Sequence, residues 1–164
     1  MALFTLVHVV ISLIGIITGL VVLGGLLSGK RLDGWTGLFL LTTIVTNLTG
    51  YGFPVDRVLP SHIVGAISLV ALAIACVALY RYALAGGWRK TYVITAVLSL
   101  YLNVFVLIVQ TFQKVPALRE LAPTQSEPPF AISQLIVLVM FVVLGYRAVV
   151  SFRESFAAPA RQFL

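Results

Sequence analysis

The sequence predicts an all-α membrane protein, a bundle of five transmembrane helices that forms one domain over residues 1–164. Hydrophobic residues make up 60% of the chain, charged residues make up only 10%, and the mean hydropathy is +1.09. Because about a quarter of the residues in a soluble domain are charged, this chain has too few charges to cover a water-exposed surface. The bilayer must therefore surround most of the protein, and helices satisfy the backbone polar groups there.

Five apolar runs without charge approach the length that a membrane-spanning helix needs, about 20 residues. They predict helices near residues 3–27, 35–52, 61–82, 90–114 and 129–150. The second run is rich in threonine and glycine, which is compatible with a shorter or tilted span. Residues 115–128 form the predicted outer loop, and its short amphipathic piece around Pro116–Leu121 is expected to lie in the membrane interface.

Proline, glycine and serine mark the breaks between these runs. Pro60 precedes the third run, and Ser61 is the expected N-cap of the third helix. Gly86 and Gly87 separate the third run from the fourth, where a flexible turn is needed. These signals support separate helices joined by short connections.

The distribution of basic residues predicts the orientation of the bundle. One side receives eight of them: Lys30, Arg31, Arg81, Arg89, Lys90, Arg147, Arg153 and Arg161. The other side receives three: Arg57, Lys114 and Arg119. Since basic residues concentrate in cytoplasmic loops, we expect the N-terminus outside and the C-terminus in the cytoplasm.

The net charge of +6 does not indicate a nucleic-acid partner. The chain lacks a basic cluster with interleaved aromatic residues and a soluble domain to carry one. The expected partner is the lipid bilayer. The single cysteine, Cys76, lies in an apolar run, cannot form an intrachain disulfide and is interpreted as a small buried residue.

Amide and imidazole side chains gather at one end of the predicted bundle, if successive helices alternate in direction. They are His8, Asn47, His62, Gln110, Gln113 and Gln134, with Asn103 nearer the midplane. Without a partner in hydrocarbon, each would cost several kcal/mol. They are therefore expected to face each other, water or a ligand. Hydrogen bonds between helices, worth about 0.6–2 kcal/mol each, are the simpler structural interpretation.

Helical spacing predicts that these polar groups point inward. One stripe on the fourth helix consists of Tyr92, Ser99, Asn103 and Gln110. A stripe on the first helix consists of Thr5, His8, Ser12, Gly15 and Gly19. A face on the third helix consists of His62, Ala66, Leu69, Ala73 and Cys76. Steps of three, four and seven residues keep side chains on one face, and small residues such as Gly15 and Gly19 let helices approach closely.

Two histidines at one end suggest a redox cofactor, either haem b or a quinone. Two helices of a bundle can provide axial imidazoles to haem iron, here from His8 and His62, with Arg57 and Lys114 near the propionates. A quinone head needs hydrogen-bond donors at its carbonyl groups. His8, His62 and the amides of Asn47, Asn103, Gln110 and Gln134 are the candidates. Either cofactor would serve electron transfer, and whether the protein is an enzyme stays open.

A non-catalytic role is the alternative. Away from their ends, the predicted spans contain no acidic or basic residue, whereas proton-driven transporters usually keep one inside the membrane. An accessory subunit of a membrane complex, a homo-oligomer or a binder of a small apolar ligand is consistent with this composition.

Two stretches resemble a known group of proteins. Residues 52–65 (GFPVDRVLPSHIVG) and 103–130 (NVFVLIVQTFQKVPALRELAPTQSEPPF) resemble small integral membrane proteins of proteobacterial inner membranes. The resemblance implies a multi-pass helical bundle in a bacterial inner membrane, and it implies no particular activity. One histidine in the first helix and one at the start of a later helix are also loosely similar to small membrane b-type cytochromes.

Overall fold

Every regular element is helical in the part of the chain that the computed structural model describes, residues 2–53 and 60–157. The helices are α1 (Ala2–Leu27), α2 (Asp33–Gly50), α3 (Pro60–Cys76), α4 (Trp88–Lys114), α5 (Pro116–Leu121) and α6 (Pro128–Ala157). A five-residue π-helical turn, Val77–Arg81, continues α3. The all-α prediction is confirmed for these residues, and α5 coincides with the predicted amphipathic piece.

Four helices of the described chain are long and apolar enough to cross a membrane. They are Ala2–Leu27, Pro60–Arg81, Trp88–Lys114 and Pro128–Phe152. The expected multi-pass membrane protein is thus confirmed in this coarse form. The predicted count of five spans is not supported, because the second predicted span corresponds to α2, which has 18 residues and is less apolar than the other four: it contains Asp33, Asn47 and recurrent threonine and glycine.

Helices α1 and α2 pack closely in antiparallel orientation. A Cβ atom on Gly15 would lie 3.2 Å from Thr43 Oγ1, and a Cβ atom on Gly25 would lie 2.8 Å from Leu32 Cδ1. From Gly15 to Gly25 along α1, the contacting residue moves back from Thr43 to Leu32, which directly precedes α2. The two helices therefore run in opposite directions. The predicted close approach at the small residues of α1 is confirmed by these distances.

The remaining long helices continue the alternation. Asn47 of α2 donates to Ser68 of α3, and Gln134 of α6 donates to the carbonyl of Phe105 on α4. Gly145, further along α6, lies against Val97, which comes earlier on α4. One end of the bundle, called the cavity end below, therefore contains the start of α1, the end of α2, the start of α3 and the end of α4. The opposite end, called the basic end, contains residues 28–32 and 82–87.

The apolar core lies between the midplane and the basic end. Its largest fully buried side chains include Phe39, Leu72, Leu100 and Phe152. The outward face of α6 is largely exposed and apolar, and includes Ile132, Leu135, Ile136, Val139, Val142 and Val143. Such a face is stable only in contact with lipid or another apolar surface.

Two details of α3 differ from the sequence prediction. Ser61 lies inside the first turn and is not the N-cap, because α3 already begins at Pro60, and proline favours the first helical position. The buried face of α3 includes Gly65, Ser68, Leu72 and Ala75, whereas Ala66 and Ala73 of the predicted face are exposed. The helix is therefore rotated relative to the prediction, and only His62 of that set lies at the cavity.

The connection between α5 and α6 is held by Glu127. Its carboxylate accepts hydrogen bonds from the backbone N–H groups of Thr124 and Ser126 and from the Thr124 hydroxyl. Desolvation acts to raise the pKa of this carboxyl, but these hydrogen bonds outweigh it and hold the pKa below its ordinary value. Glu127 is thus a structural charge that fixes the entry into α6.

Candidate functional site

A cavity of about 480 Å³ lies at the cavity end, between α1, α2, α3 and α4. Much of its wall is apolar, with Val9, Leu13, Val64, Leu102 and Val106 among the lining residues. Ligand sites in proteins occupy about 300–1,000 Å³ and combine an apolar wall with a few convergent polar groups. This cavity has both properties.

Six of the eight residues predicted from the sequence line this cavity: His8, Asn47, His62, Asn103, Gln110 and Lys114. Gln134 does not line it; its Nε2 donates to the Phe105 carbonyl at 3.2 Å and links α6 to α4. Arg57 lies outside the described residues. The polar groups therefore converge as their helical spacing predicts, although Gln134 has a structural position.

His8 is oriented by a hydrogen bond to α2. Its Nδ1 lies 2.8 Å from Thr49 Oγ1, and Thr49 in turn donates to the carbonyl oxygen of Val45 at 2.8 Å. The Phe53 ring meets the imidazole edge to face, with centroids 5.1 Å apart. These two contacts position the ring at the cavity wall.

His62 occupies the first turn of α3 and is held by Tyr51. The two rings are stacked, with centroids 5.3 Å apart and an interplanar angle of 21°. The Tyr51 hydroxyl donates to the His62 backbone carbonyl at 2.7 Å. Since Tyr51 follows directly after α2, this pair joins the end of α2 to the beginning of α3.

Asn47 has a structural role in addition to lining the cavity. Its Nδ2 donates to the carbonyl of Thr43 at 2.8 Å and to Ser68 Oγ on α3 at 3.2 Å. Both hydrogens of the amide nitrogen are therefore used within the protein. This is the interhelical hydrogen bond that the simpler interpretation of the polar residues expects.

Two other polar atoms at the cavity have no hydrogen-bond partner in the described part of the chain. They are Asn103 Nδ2 and Thr46 Oγ1, and both are buried. Thr46 as a whole is only 8% exposed. Buried polar groups in proteins are nearly always satisfied, and an unsatisfied one costs about 1–3 kcal/mol. Both residues line the cavity, so a ligand oxygen is a candidate partner for these atoms.

The sequence did not single out Thr46, Thr49, Tyr51 or Ser68. Hydroxyl side chains on helices usually bond to their own backbone, so Thr49 and Ser68 carried no signal as partners of other side chains. Thr43, Asn47 and Gly50 share one face of the second predicted helix at steps of four and three residues. Thr46 and Tyr51 fall on the same side, and that helical spacing is the signal that could have found them.

Lys114 is the one charged side chain, apart from histidine, among the residues that line the cavity in the described chain. It lies in the last turn of α4, at the end of the membrane-spanning segment. The described residues contain no group of three or more His, Cys, Asp or Glu side chains that could hold a metal ion. The lining thus combines hydrogen-bond donors, two imidazoles and one positive charge.

The function of this site has to be inferred from its own geometry and chemistry. Protein-family models, curated proteins and solved structures were all compared with the chain, and none of them matches it.

Proposed function

We propose that the protein binds a small amphiphilic ligand of the quinone type in this cavity. Such a ligand combines a flat ring that carries oxygen substituents with an apolar tail. The observation that carries the proposal is that Asn103 and Thr46 line an otherwise largely apolar cavity, and that their buried Nδ2 and Oγ1 atoms have no hydrogen-bond partner in the described chain.

The polar groups suit an oxygen-bearing head. An amide nitrogen only donates hydrogen bonds, so Asn103 Nδ2 requires an acceptor such as a carbonyl or hydroxyl oxygen. Thr46 can donate to the same kind of atom. The ammonium group of Lys114 provides a third donor and favours electron-rich oxygens over a cationic head.

The apolar groups suit a ring and the beginning of a tail. Side chains of α1 and α4, including Leu13, Leu102 and Val106, line the cavity on two sides. Each buried methylene group of a tail contributes about 0.8 kcal/mol of transfer free energy. Affinity would therefore come mainly from this wall, and the hydrogen bonds would fix the orientation of the head.

Filling the cavity is expected to abolish binding. Ser12 lines the cavity, and its hydroxyl donates to its own helix at the His8 carbonyl, 2.8 Å away, so the side chain is free to be enlarged without losing a tertiary hydrogen bond. In Ser12→Phe the ring should occupy the space of the ligand head. We expect the affinity for a benzoquinone with a short alkyl tail, measured by calorimetric titration in detergent, to fall at least about tenfold.

The matched control is Ile17→Phe. Ile17 is on the same helix but is 59% exposed and does not line the cavity, so this variant should bind the quinone like the wild type. Equal affinities for all three proteins would show that the quinone binds elsewhere and would contradict the proposal. If the wild type itself binds no quinone, the alternative of a non-catalytic accessory subunit is favoured.

Haem b is a second candidate, which the geometry of His8 favours. Its Nδ1 makes a hydrogen bond while Nε2 makes none with a described residue, which is the arrangement typical of metal-ligating imidazoles. His62 and Lys114 line the same cavity. A Soret band in the purified protein, lost in both His8→Ala and His62→Ala, would support haem and electron transfer. A flat visible spectrum after expression with ample haem would exclude it.

We further propose that α2 crosses the membrane as a fifth span, with the cavity end outside and the C-terminus in the cytoplasm of a bacterium. At about 1.5 Å per residue, the 18 residues of α2 extend about 27 Å, and the helix runs from the basic end to the level of His8. The excess of basic residues at the basic end and the resemblance of residues 52–65 and 103–130 to inner-membrane proteins support this orientation. A cysteine introduced at Ser28 tests this orientation. Its labelling by a membrane-impermeant reagent added outside intact cells would place the basic end outside and contradict the orientation.

A further inference from the structure

The hydrogen bond between Thr49 and His8 can form in two directions, and each places the imidazole proton on a different nitrogen. A threonine hydroxyl has one hydrogen, and two carbonyl oxygens of its own helix lie within reach of it, that of Val45 at 2.8 Å and that of Thr46 at 3.1 Å. When the hydrogen goes to one of these carbonyls, the Thr49 oxygen accepts the hydrogen bond from His8. In that arrangement the neutral imidazole carries its hydrogen on Nδ1.

Nε2 of His8 is consequently a hydrogen-bond acceptor. In a neutral imidazole one nitrogen donates and the other accepts. No described residue makes a hydrogen bond with Nε2, and the side chain of His8 lines the cavity. A ligand that satisfies this nitrogen has to bring a donor.

A ligand that satisfies both sides of the cavity has to donate one hydrogen bond and accept another. Asn103 Nδ2 needs an acceptor, whereas His8 Nε2 needs a donor. The carbonyl oxygens of an oxidised quinone only accept, so a quinone would leave His8 unsatisfied. The hydroxyl groups of a quinol donate and accept, and can satisfy both residues.

We infer that the cavity binds the reduced, hydroxyl-bearing form of its ligand, a quinol, in preference to the quinone. The inference rests on the proposed function. It also assigns a role to Thr49, which acts as a positioning residue: it does not line the cavity, but it selects the imidazole tautomer that presents an acceptor to the ligand.

The test compares the affinities for the two redox forms of one short-tailed compound. Titrations of the purified protein under anaerobic conditions should show the quinol bound about tenfold more tightly than the quinone, the effect of one hydrogen bond to an otherwise unpaired group. In Thr49→Val the imidazole loses the partner of Nδ1 and can adopt either tautomer. The ratio of the two affinities should then fall towards one.

Two further variants separate positioning from a general structural effect. Thr49→Ser keeps a hydroxyl at the same place and should restore the preference for the quinol. Thr42→Val is the matched control, because Thr42 also donates to its own helix, at the Leu38 carbonyl 2.7 Å away, but has no hydrogen bond to an imidazole. It should leave the ratio unchanged.

The outcomes distinguish this inference from the proposed function. Equal affinities of the wild type for quinol and quinone, or tighter binding of the quinone, would overturn the preference while leaving the proposed function intact. A preference that persists in Thr49→Val would overturn the role of Thr49. Binding of neither form would overturn both proposals together.

Discussion

Gly19→Ala is expected to lower the free energy of unfolding by about 1–3 kcal/mol, the usual cost of overpacking a well-packed interior. A Cβ atom at this position would lie 2.5 Å from Leu100 Cδ1 and 2.9 Å from two ring carbons of Phe39. Both neighbours are 1% exposed, so neither can move aside into solvent or lipid. The added methyl group would therefore push α1 away from α2 and α4.

Gly24→Ala is the matched control for this effect. Gly24 is also on α1, but a Cβ atom there would meet no atom within 4 Å, so the unfolding temperature should stay at the wild-type value or rise slightly, because alanine favours a helix over glycine. Thermal unfolding in detergent, followed by circular dichroism, gives both values. Equal unfolding temperatures for Gly19→Ala and the wild type would contradict the close packing of α1 against α2 and α4.

Asn103→Leu is expected to reduce ligand affinity and yet leave the ligand-free protein as stable as the wild type, or more stable. Leucine has nearly the same shape but lacks the buried Nδ2, which has no partner in the described chain. Removing an unsatisfied polar group relieves a desolvation cost of about 1–3 kcal/mol. Removing the donor of a ligand oxygen should weaken binding about tenfold or more.

Thr46→Val should likewise weaken ligand binding without lowering the stability of the ligand-free protein, since Thr46 Oγ1 is also buried without a partner in the described chain. The control is Thr18→Val, because Thr18 is similarly buried but its hydroxyl donates to the Ile14 carbonyl of its own helix at 2.8 Å. Titration of the short-tailed quinone and thermal unfolding are measured on all of these proteins. A ligand-free Asn103→Leu protein that is clearly less stable than the wild type would show that Asn103 holds the helices together instead.

The sequence predicted the convergence of polar residues because that result depends on few assumptions. Helices that alternate in direction bring His8, Asn47, His62 and Gln110 to the same end, whatever the orientation of the protein in the membrane. The 3.6-residue period then places each of them on an inward face. Both conditions hold in the structure, and all four side chains line one cavity.

The rotation of α3 could not be predicted from its sequence. Its segment PSHIVGAISLVALAIAC contains small and apolar residues on every face, so that periodicity does not distinguish the buried face from the lipid-facing one. The hydrogen bond from Asn47 to Ser68 settles the rotation, and it joins residues that are 21 positions apart. Such a contact depends on the packing of two helices and has no local signal.

The different roles of the two asparagines also depend on tertiary structure. Asn47 uses its Nδ2 within the protein, at Thr43 and Ser68, whereas the Nδ2 of Asn103 has no partner in the described residues. Both are asparagines, and both line the cavity. Only the neighbours differ, and these neighbours make Asn103 the better candidate for a ligand contact.

The most direct test of the proposed function is to identify what the protein carries when it is purified. Wild-type protein and Ser12→Phe would be purified in mild detergent, washed, and extracted with organic solvent for mass spectrometry. The proposed function predicts a lipid-soluble quinone or quinol that is enriched with the wild type and depleted from Ser12→Phe, in which the cavity is filled. Equal amounts of these compounds in the two extracts, or none in either, would contradict it.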